Sequence, residues 1–473
     1  MSGPSEWEPV IGLEVHAHLK TRTKMFCRCA LEYGAAENTR TCSVCLAHPG
    51  ALPVPNGRAI EQTITLGLAL GCEIAAHSLF ARKNYFYPDL PKGYQISQYE
   101  APLCGRGSFA LPSAEGDRPI GIVRAHLEED AAKTVHAGGA TGRSVGAAYS
   151  LVDFNRGGTP LLEIVTEPDL RSAEEAMWFL RLLRQTIVEL GISDAEMEKG
   201  TLRADVNVSV RRRGEDGYRP RWEIKNMNSF TFIGRAIDAA IRRQVAAHEA
   251  GEAVEQSTYD YDADTDRLTV HRSKEEADDY RYFPEPDLVP IEPPAELVDR
   301  LGRGLPEAPA VRIERIETAV GFDTAVELVT TGRDRLYDRL VAAGTEVRPA
   351  ANAVMNEIAA AGVDLDAVDA AELAQVLAAR ERLPRDVYAE AIARSADPGF
   401  AAAPYLEREA VSDEAALEPV VDAVIAANPE EVETYRGGKE GVLGYLVGQV
   451  MRETRGRADP KAVNRLLREK LDS

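Results

Sequence analysis

The stretch Val10–Lys20, VIGLEVHAHLK, alternates strictly: Ile11, Leu13, Val15, Ala17 and Leu19 on one side, Gly12, Glu14, His16 and His18 on the other. A period of two is the pattern of a half-buried strand, so the chain must build a sheet with one apolar face and one face carrying a carboxylate and two imidazoles. Taken singly, such a strand is equally an exposed face with ordinary polar residues. Three later segments repeat the arrangement, and the repetition turns the polar face into a candidate site.

Ile120–Lys133, IGIVRAHLEEDAAK, places Arg124, His126 and Glu128 on one face and Glu129 on the other, unless a bulge shifts the register. In Ser150–Asp169, SLVDFNRGGTPLLEIVTEPD, Glu163 stands alone within Leu161, Leu162, Ile164 and Val165. A carboxylate in that setting needs a metal or a buried arginine beside it. Thr201–Val210, TLRADVNVSV, sets Arg203, Asp205, Asn207 and Ser209 against Ala204, Val206, Val208 and Val210, and WEIKNMNS at 222–229 adds Glu223 and Lys225. Strands of this kind joined by short connections point to an antiparallel sheet with a polar, concave face.

Glu14, His16, one glutamate of the 128/129 pair, Glu163 and Asp205 thus fall on separate strands. Carboxylates with one or two imidazoles are hard ligands suited to Mg²⁺, which shares its coordination sphere with substrate phosphates. Lys83, Arg124 and Arg203 can neutralise such phosphates. No P-loop, kinase signature or dinucleotide fingerprint occurs, so a nucleotide site here is of another type. Lys83 itself lies in RKNYFYPDLPKGYQISQ, Arg82–Gln98, whose aromatics and prolines read as an ordered loop, either shaped around a ligand or packed on tyrosines that fill space.

Of six cysteines, Cys27, Cys29, Cys42 and Cys45 follow a C-x-C-x12-C-x-x-C spacing suited to tetrahedral thiolate coordination of structural Zn²⁺, with four free thiols as the other reading. Cys72 and Cys104 stand alone and lack the setting of a nucleophile. The net charge of −21 rules out a surface that is basic throughout, so contact with nucleic acid must use a local patch. Lysines number only eleven, and the dispersed acidic excess fits adaptation to high salt. With no signal-like apolar stretch in MSGPSEWEPV and no run long enough to cross a bilayer, a cytoplasmic protein without a membrane partner is expected.

Past the proline-rich segment Pro284–Pro294 the pattern turns helical: Ala350–Ala361, Ala371–Arg382, Arg385–Arg394, Glu414–Ala427, Gly441–Arg455 and Asp459–Lys470, with Ser395–Pro404 as a candidate linker. Between Met451 and Lys470, seven basic residues (Arg452, Arg455, Arg457, Lys461, Arg465, Arg468, Lys470) face three acidic ones. In so acidic a chain this is a candidate phosphate-backbone contact or, equally, a solvated helix face.

The segments IGLEVHAHLKT, RKNYFYPDLPKGYQISQ, AHLEEDAAK, SLVDFNRGGTPLLEIVTEPD, GTLRADVNVSVR, EIKNMNSF and DDYRYFPEPDLVP, together with LVGQVMRETRGRADPKAVNRLL near the end, resemble the signature segments of the GatB family, the B-type subunits of aspartyl/glutamyl-tRNA amidotransferases, in the family order and over nearly the whole chain. The resemblance implies an α+β fold: a cradle domain at 1–293, built on a mainly antiparallel sheet with flanking helices and carrying an ATP/Mg²⁺ site and the zinc loop, then an all-α helical domain at 294–402 and a tail domain at 403–473 that contacts tRNA. It implies ATP-dependent phosphorylation of the side-chain carboxylate of Glu on tRNA(Gln) or Asp on tRNA(Asn), then amidation by ammonia, in a ligase that forms carbon–nitrogen bonds with glutamine as amido donor. Ammonia comes from an A-type amidase subunit, with a small C-type subunit bracing the pair; no amidase or glutaminase signature occurs in this chain. The implied metal ligands and catalytic residues are Glu14, His16, Glu129, Glu163 and Asp205, with Lys83, Arg124, Arg203 and Asn207 on the nucleotide. Glu129 here replaces the Glu128 that alternation favours, with a bulge as the implied cause. A non-catalytic RNA scaffold and the related archaeal E-type subunit are the competing readings; the ligand set opposes the first, and the chain has no room for the extra domain of the second.

Overall fold

The alternating segments become neighbours in one sheet. The computed structural model describes residues 6–138, 147–227, 229–273, 277–408, 414–454 and 458–472. Its strands are β1 (Trp7–His18), β2 (Ala81–Asn84), β3 (Tyr94–Ser97), β4 (Gly107–Leu111), β5 (Arg118–Glu129), β6 (Lys133–Ala137), β7 (Tyr149–Asp153), β8 (Pro160–Thr166), β9 (Leu202–Arg212), β10 (Trp222–Met227), β11 (Ser257–Asp262), β12 (Arg267–Ser273) and β13 (Phe283–Pro284). Eight of them form a sheet in the order β12-β11-β10-β9-β1-β8-β5-β4, antiparallel except between β10 and β11. β13, β2 and β3 make a small second sheet, and β6 and β7 a separate ribbon.

The apolar side of the alternation is buried as its period requires: Ile11, Val15, Ala17, Ala204, Val206 and Val208 are 0% exposed. Each larger aliphatic side chain buried in this way stabilises the fold by about 1.5–3 kcal/mol. Helices α1 (Gly57–Ala69), α2 (Ala173–Glu189) and α3 (Phe230–Glu249) flank the sheet. Asn56 caps α1 by accepting from the Arg58 and Ala59 amides, and Ser172 caps α2 by accepting from Glu175 N, while the Glu175 carboxylate accepts from Arg171 N. Phe179 of α2 meets Phe109 of β4 edge-on, ring centroids 5.7 Å apart, and Gln244 of α3 donates to the Val208 carbonyl of β9 at 3.0 Å. With α2 and α3 on the apolar side, the polar face of β1, β8, β9 and β5 is left for chemistry.

The chain divides into two compact units, Met1–Glu314 and Arg315–Ser473. An antiparallel-dominated sheet in the first and helices in the second make the α+β architecture that was expected. The later predicted helices occur at Ala370–Ala378, Arg385–Arg394, Glu414–Ala427, Leu443–Glu453 and Pro460–Asp472. The segment predicted as one helix over Ala350–Ala361 begins at Val347 and contains a π-helical turn at Ala353–Ile358.

Helices not expected from the pattern also occur in this region, at Ala295–Arg303, Pro309–Val320, Phe322–Thr330, Asp334–Ala342, Ala403–Leu406 and Pro429–Arg436. The first is nine residues long and buries none of them fully, so its apolar face of Leu297, Val298 and Leu301 is too short to announce it. Ser395–Pro404 is not a free spacer, because Ser395 and Ala402 are fully buried and the Ala402 amide donates to Glu372.

Candidate active site

Strand register lays the polar face out as a grid. Across one line of the sheet, Arg203 of β9, His16 of β1, Glu163 of β8 and His126 of β5 are direct neighbours. One step along β1, Asp205 faces Glu14, and Arg124 lies two strands further on across Val165. One step the other way, His18 and Glu128 flank Leu161. On β10, Glu223 pairs with Asn207 of β9, and Lys225 bridges two carboxylates at 3.1 Å each, Asp205 and Glu223. The grid places ligating atoms in two groups, His16/Glu128/Glu163 and Glu14/Asp205/Glu223, and within each group one atom per residue lies within 4.8 Å of the others.

Above this floor is a cavity of about 210 Å³, bounded on its other sides by Lys83, Gln98, Tyr99, Arg124, Tyr280 and Tyr282. Burial pushes the Glu14 carboxyl up, and the negative charges of Glu163, Glu223 and Asp205 push it further. Burial likewise raises Glu128 to about 7, with Glu163 adding to it. Burial opposes charge on His16, yet its hydrogen bond to Glu163 and that residue's charge lift it to about 9. Burial resists ionisation of Glu163 too, and the facing imidazoles of His126 and His16 overcome it and hold the group well below its usual range. His126, depressed by burial to about 4, is neutral at pH 7. Carboxylates crowded so closely call for positive charge, and the donor set of oxygens with one imidazole fits a hard divalent cation. Among the described residues, His126 Nδ1 and Arg124 Nε are buried without a hydrogen-bond partner.

The four sulfurs of Cys27, Cys29, Cys42 and Cys45 also lie within 4.8 Å of one another, an arrangement compatible with a structural zinc ion. The loop between the two pairs is tied down at its middle. Asn38 accepts from the Phe154 amide and donates to the Val152 carbonyl, and the Arg40 amide donates to Asn155.

Residues 9–299 match the family description "GatB/GatE catalytic domain", and residues 335–471 match "GatB domain". Similar proteins, each named as the B subunit of aspartyl/glutamyl-tRNA(Asn/Gln) amidotransferase, occur in Anaeromyxobacter sp. strain K (47% identical, 99% of each chain covered), Syntrophotalea carbinolica (44%, 99% of each) and Moorella thermoacetica (45%, 98% of this chain and 100% of the relative). The chain belongs to the GatB family.

Seen on a GatB-family sheet, the expected site residues separate. Glu14, His16, Glu163 and Asp205 come together on one face. Asn207 donates to Glu14 at 3.2 Å, Lys83 and Arg124 border the cavity, and Arg203 sits beside His16 with its guanidinium 3.4 Å from Asp130. Glu129 does not join them. The register shift in β5 falls between Ile122 and Arg124, and alternation then runs unbroken to the strand end, so Glu128 faces the site and Glu129 turns away. Glu129 pairs with Lys92, accepts from the Ile96 amide at 3.1 Å and borders a separate cavity beside Cys27 and Cys45.

Glu223 is not marked as a ligand by the sequence, although it alternates with Trp222 and Ile224; only the pairing of β10 with β9 brings it beside Asp205. Glu163 has no arginine partner among the described residues, and its neighbours are His16 at 3.2 Å and His126 at 3.9 Å. In the second unit of this GatB-family chain, Lys470 pairs with Glu418 and Asp422 at 2.8 Å each, and Arg468 approaches Glu440 at 3.8 Å, so part of the basic excess is offset by acids from other helices. Arg455 and Arg457 lie outside the described residues. No helix is long and apolar enough to cross a membrane among the described residues.

Proposed function

We propose that this chain is the carboxylate-activating subunit of a tRNA-dependent amidotransferase, a ligase of protein biosynthesis that forms carbon–nitrogen bonds with glutamine as amido donor. Its substrate is the side chain of Glu on tRNA(Gln), of Asp on tRNA(Asn), or of both. A carboxylate is a poor electrophile until one of its oxygens becomes a leaving group. Transfer of the γ-phosphoryl group of ATP to that oxygen, with release of ADP, supplies the leaving group; ammonia then attacks the carbonyl carbon, phosphate departs, and Gln-tRNA(Gln) or Asn-tRNA(Asn) results. The observation that carries this reading is the opposition, within one cavity, of two carboxylate groups to Lys83, Arg124 and Lys225.

His16, Glu128 and Glu163 hold one Mg²⁺ and Glu14, Asp205 and Glu223 a second, with Asn207 orienting Glu14. Bound there, Mg²⁺ screens the charge that develops during phosphoryl transfer. Lys83, Arg124 and Arg203 bind phosphate oxygens, and Lys225 is close enough to Asp205 and Glu223 to compensate their charge. The four cysteines hold a structural zinc ion. Ammonia comes from an A-type amidase subunit, with a small C-type subunit completing the assembly, and the protein works in the cytoplasm. The cradle spans 1–293, a helical domain 294–402, and a tail at 403–473 contacts tRNA.

The test is Mg²⁺-dependent transfer of labelled γ-phosphate to Glu-tRNA(Gln) by the assembled complex. Glu163→Gln is expected to reduce transfer by about a hundredfold or more, in line with the loss of a ligand to the cation that stabilises developing charge. Transfer at the wild-type rate in that variant contradicts the assignment.

A further inference from the structure

The tyrosines bordering the cavity have no role in the chemistry above, and their arrangement is specific. The rings of Tyr99 and Tyr282 are parallel to within 10°, with centroids 4.3 Å apart. Tyr280 meets Tyr282 edge-on at 6.2 Å, and Tyr85 in turn meets Tyr280 at 6.0 Å. Two distant stretches of chain, 85–99 and 280–282, thus build one aromatic column, and Tyr99 keeps 36% of its surface exposed while bordering the cavity. Packing tyrosines to fill a core would bury them.

Positive charge adjoins the column. Lys83 Nζ is 4.8 Å from the Tyr280 ring centre, and the Arg124 guanidinium is 5.8 Å from that of Tyr99. Arg124 Nε is buried without a hydrogen-bond partner among the described residues. A flat aromatic surface beside a guanidinium donor that lacks an acceptor is chemistry for a nucleotide, the base on the rings and the phosphate on the cation. The carboxylate floor offers a base no such surface.

We infer that Tyr99 and Tyr282 form a stacking platform for an adenine ring. The inference rests on the ATP- and tRNA-dependent reading of this cavity, and two substrates of that reading carry the ring: ATP and the 3′-terminal adenosine of tRNA. Arg124 is the neighbouring phosphate contact, and Tyr280 and Tyr85 are positioning residues that hold the column upright.

Calorimetric binding of Mg·ATP and of Glu-tRNA(Gln) to the assembled complex tests this, comparing the wild type with Tyr99→Leu and Tyr99→Trp, and amidation measured in parallel. Stacking on an aromatic side chain is worth about 1–3 kcal/mol per base, so Tyr99→Leu is expected to weaken binding of one of the two by roughly five- to 150-fold. Tyr99→Trp keeps a stacking ring and is expected to stay within about threefold of wild type. Weaker ATP binding assigns the platform to the nucleotide, and weaker tRNA binding assigns it to the terminal adenosine. Unchanged affinity for both in Tyr99→Leu, or equal losses in the Leu and Trp variants, overturns the platform. A wild-type complex that binds ATP through Tyr99 yet does not amidate contradicts the proposed function and leaves the platform standing.

Discussion

His16 Nε2 lies 3.2 Å from Glu163 Oε2, directly across the β1–β8 ladder. In the metal-free chain this imidazole supplies the positive charge that its carboxylate neighbours lack, which is why it is lifted from 6.5 to about 9. A histidine raised in this way contributes stability that is fully present below its unfolded value of 6.5 and is lost as pH rises through about 9. Denaturant unfolding of metal-free protein is therefore expected to lose on the order of 3 kcal/mol between about pH 6 and about pH 10, and His16→Gln to flatten that slope. A midpoint that does not move with pH contradicts the pairing.

Glu128 and Glu129 are adjacent in sequence and opposite in role. Glu128→Gln removes one carboxylate of the His16/Glu128/Glu163 group and is expected to depress Mg²⁺-dependent phosphoryl transfer by about a hundredfold. Glu129→Gln instead leaves the half-buried Lys92 without its charged partner, which costs up to about 3 kcal/mol of stability, while half-saturation by Mg²⁺ stays within about twofold. The reverse pattern, with Glu129→Gln as the variant that loses Mg²⁺ dependence, restores the role that the family resemblance implies.

Removal of the proposed zinc ion is expected to act on folding. The cysteine loop is joined to the 152–155 segment through Asn38 and Arg40, so loss of the ion loosens both. Metal analysis is expected to find one zinc per chain, and Cys45→Ser to abolish it and lower the melting temperature by several degrees, as about 1–2 kcal/mol does in a domain of a few hundred residues. A chain free of zinc with an unchanged melting temperature contradicts a structural ion.

Glu223 accepts from Thr258 at 3.0 Å and joins Asp205 and Glu14. Glu223→Gln keeps its shape and removes its charge, so the Mg²⁺ concentration needed for half-maximal phosphoryl transfer is expected to rise about tenfold, the effect of roughly 1.4 kcal/mol. An unchanged requirement removes Glu223 from the ligand set.

Much of this site was legible because alternation is a local property. Glu14, His16, Glu163 and Asp205 each announce their face within their own strand, and so does Glu128, whose alternation the structure follows rather than the bulge invoked for Glu129. Pairing is not local. Glu223 becomes a neighbour of Asp205 only through the β9–β10 register, and the partners of Lys470 come from a helix some 50 residues away. The helix Ala295–Arg303 is hard to read for another reason: it spans nine residues and buries none of them fully, so its apolar face of Leu297, Val298 and Leu301 is a short one.

The proposed pair of adjacent divalent-cation sites on one sheet face is decided by the anomalous difference map of the complex crystallised with Mn²⁺ and a non-hydrolysable ATP analogue. One peak is expected among His16, Glu128 and Glu163 and a second among Glu14, Asp205 and Glu223. Peaks at Glu129, or none on this face, contradict the proposed pair.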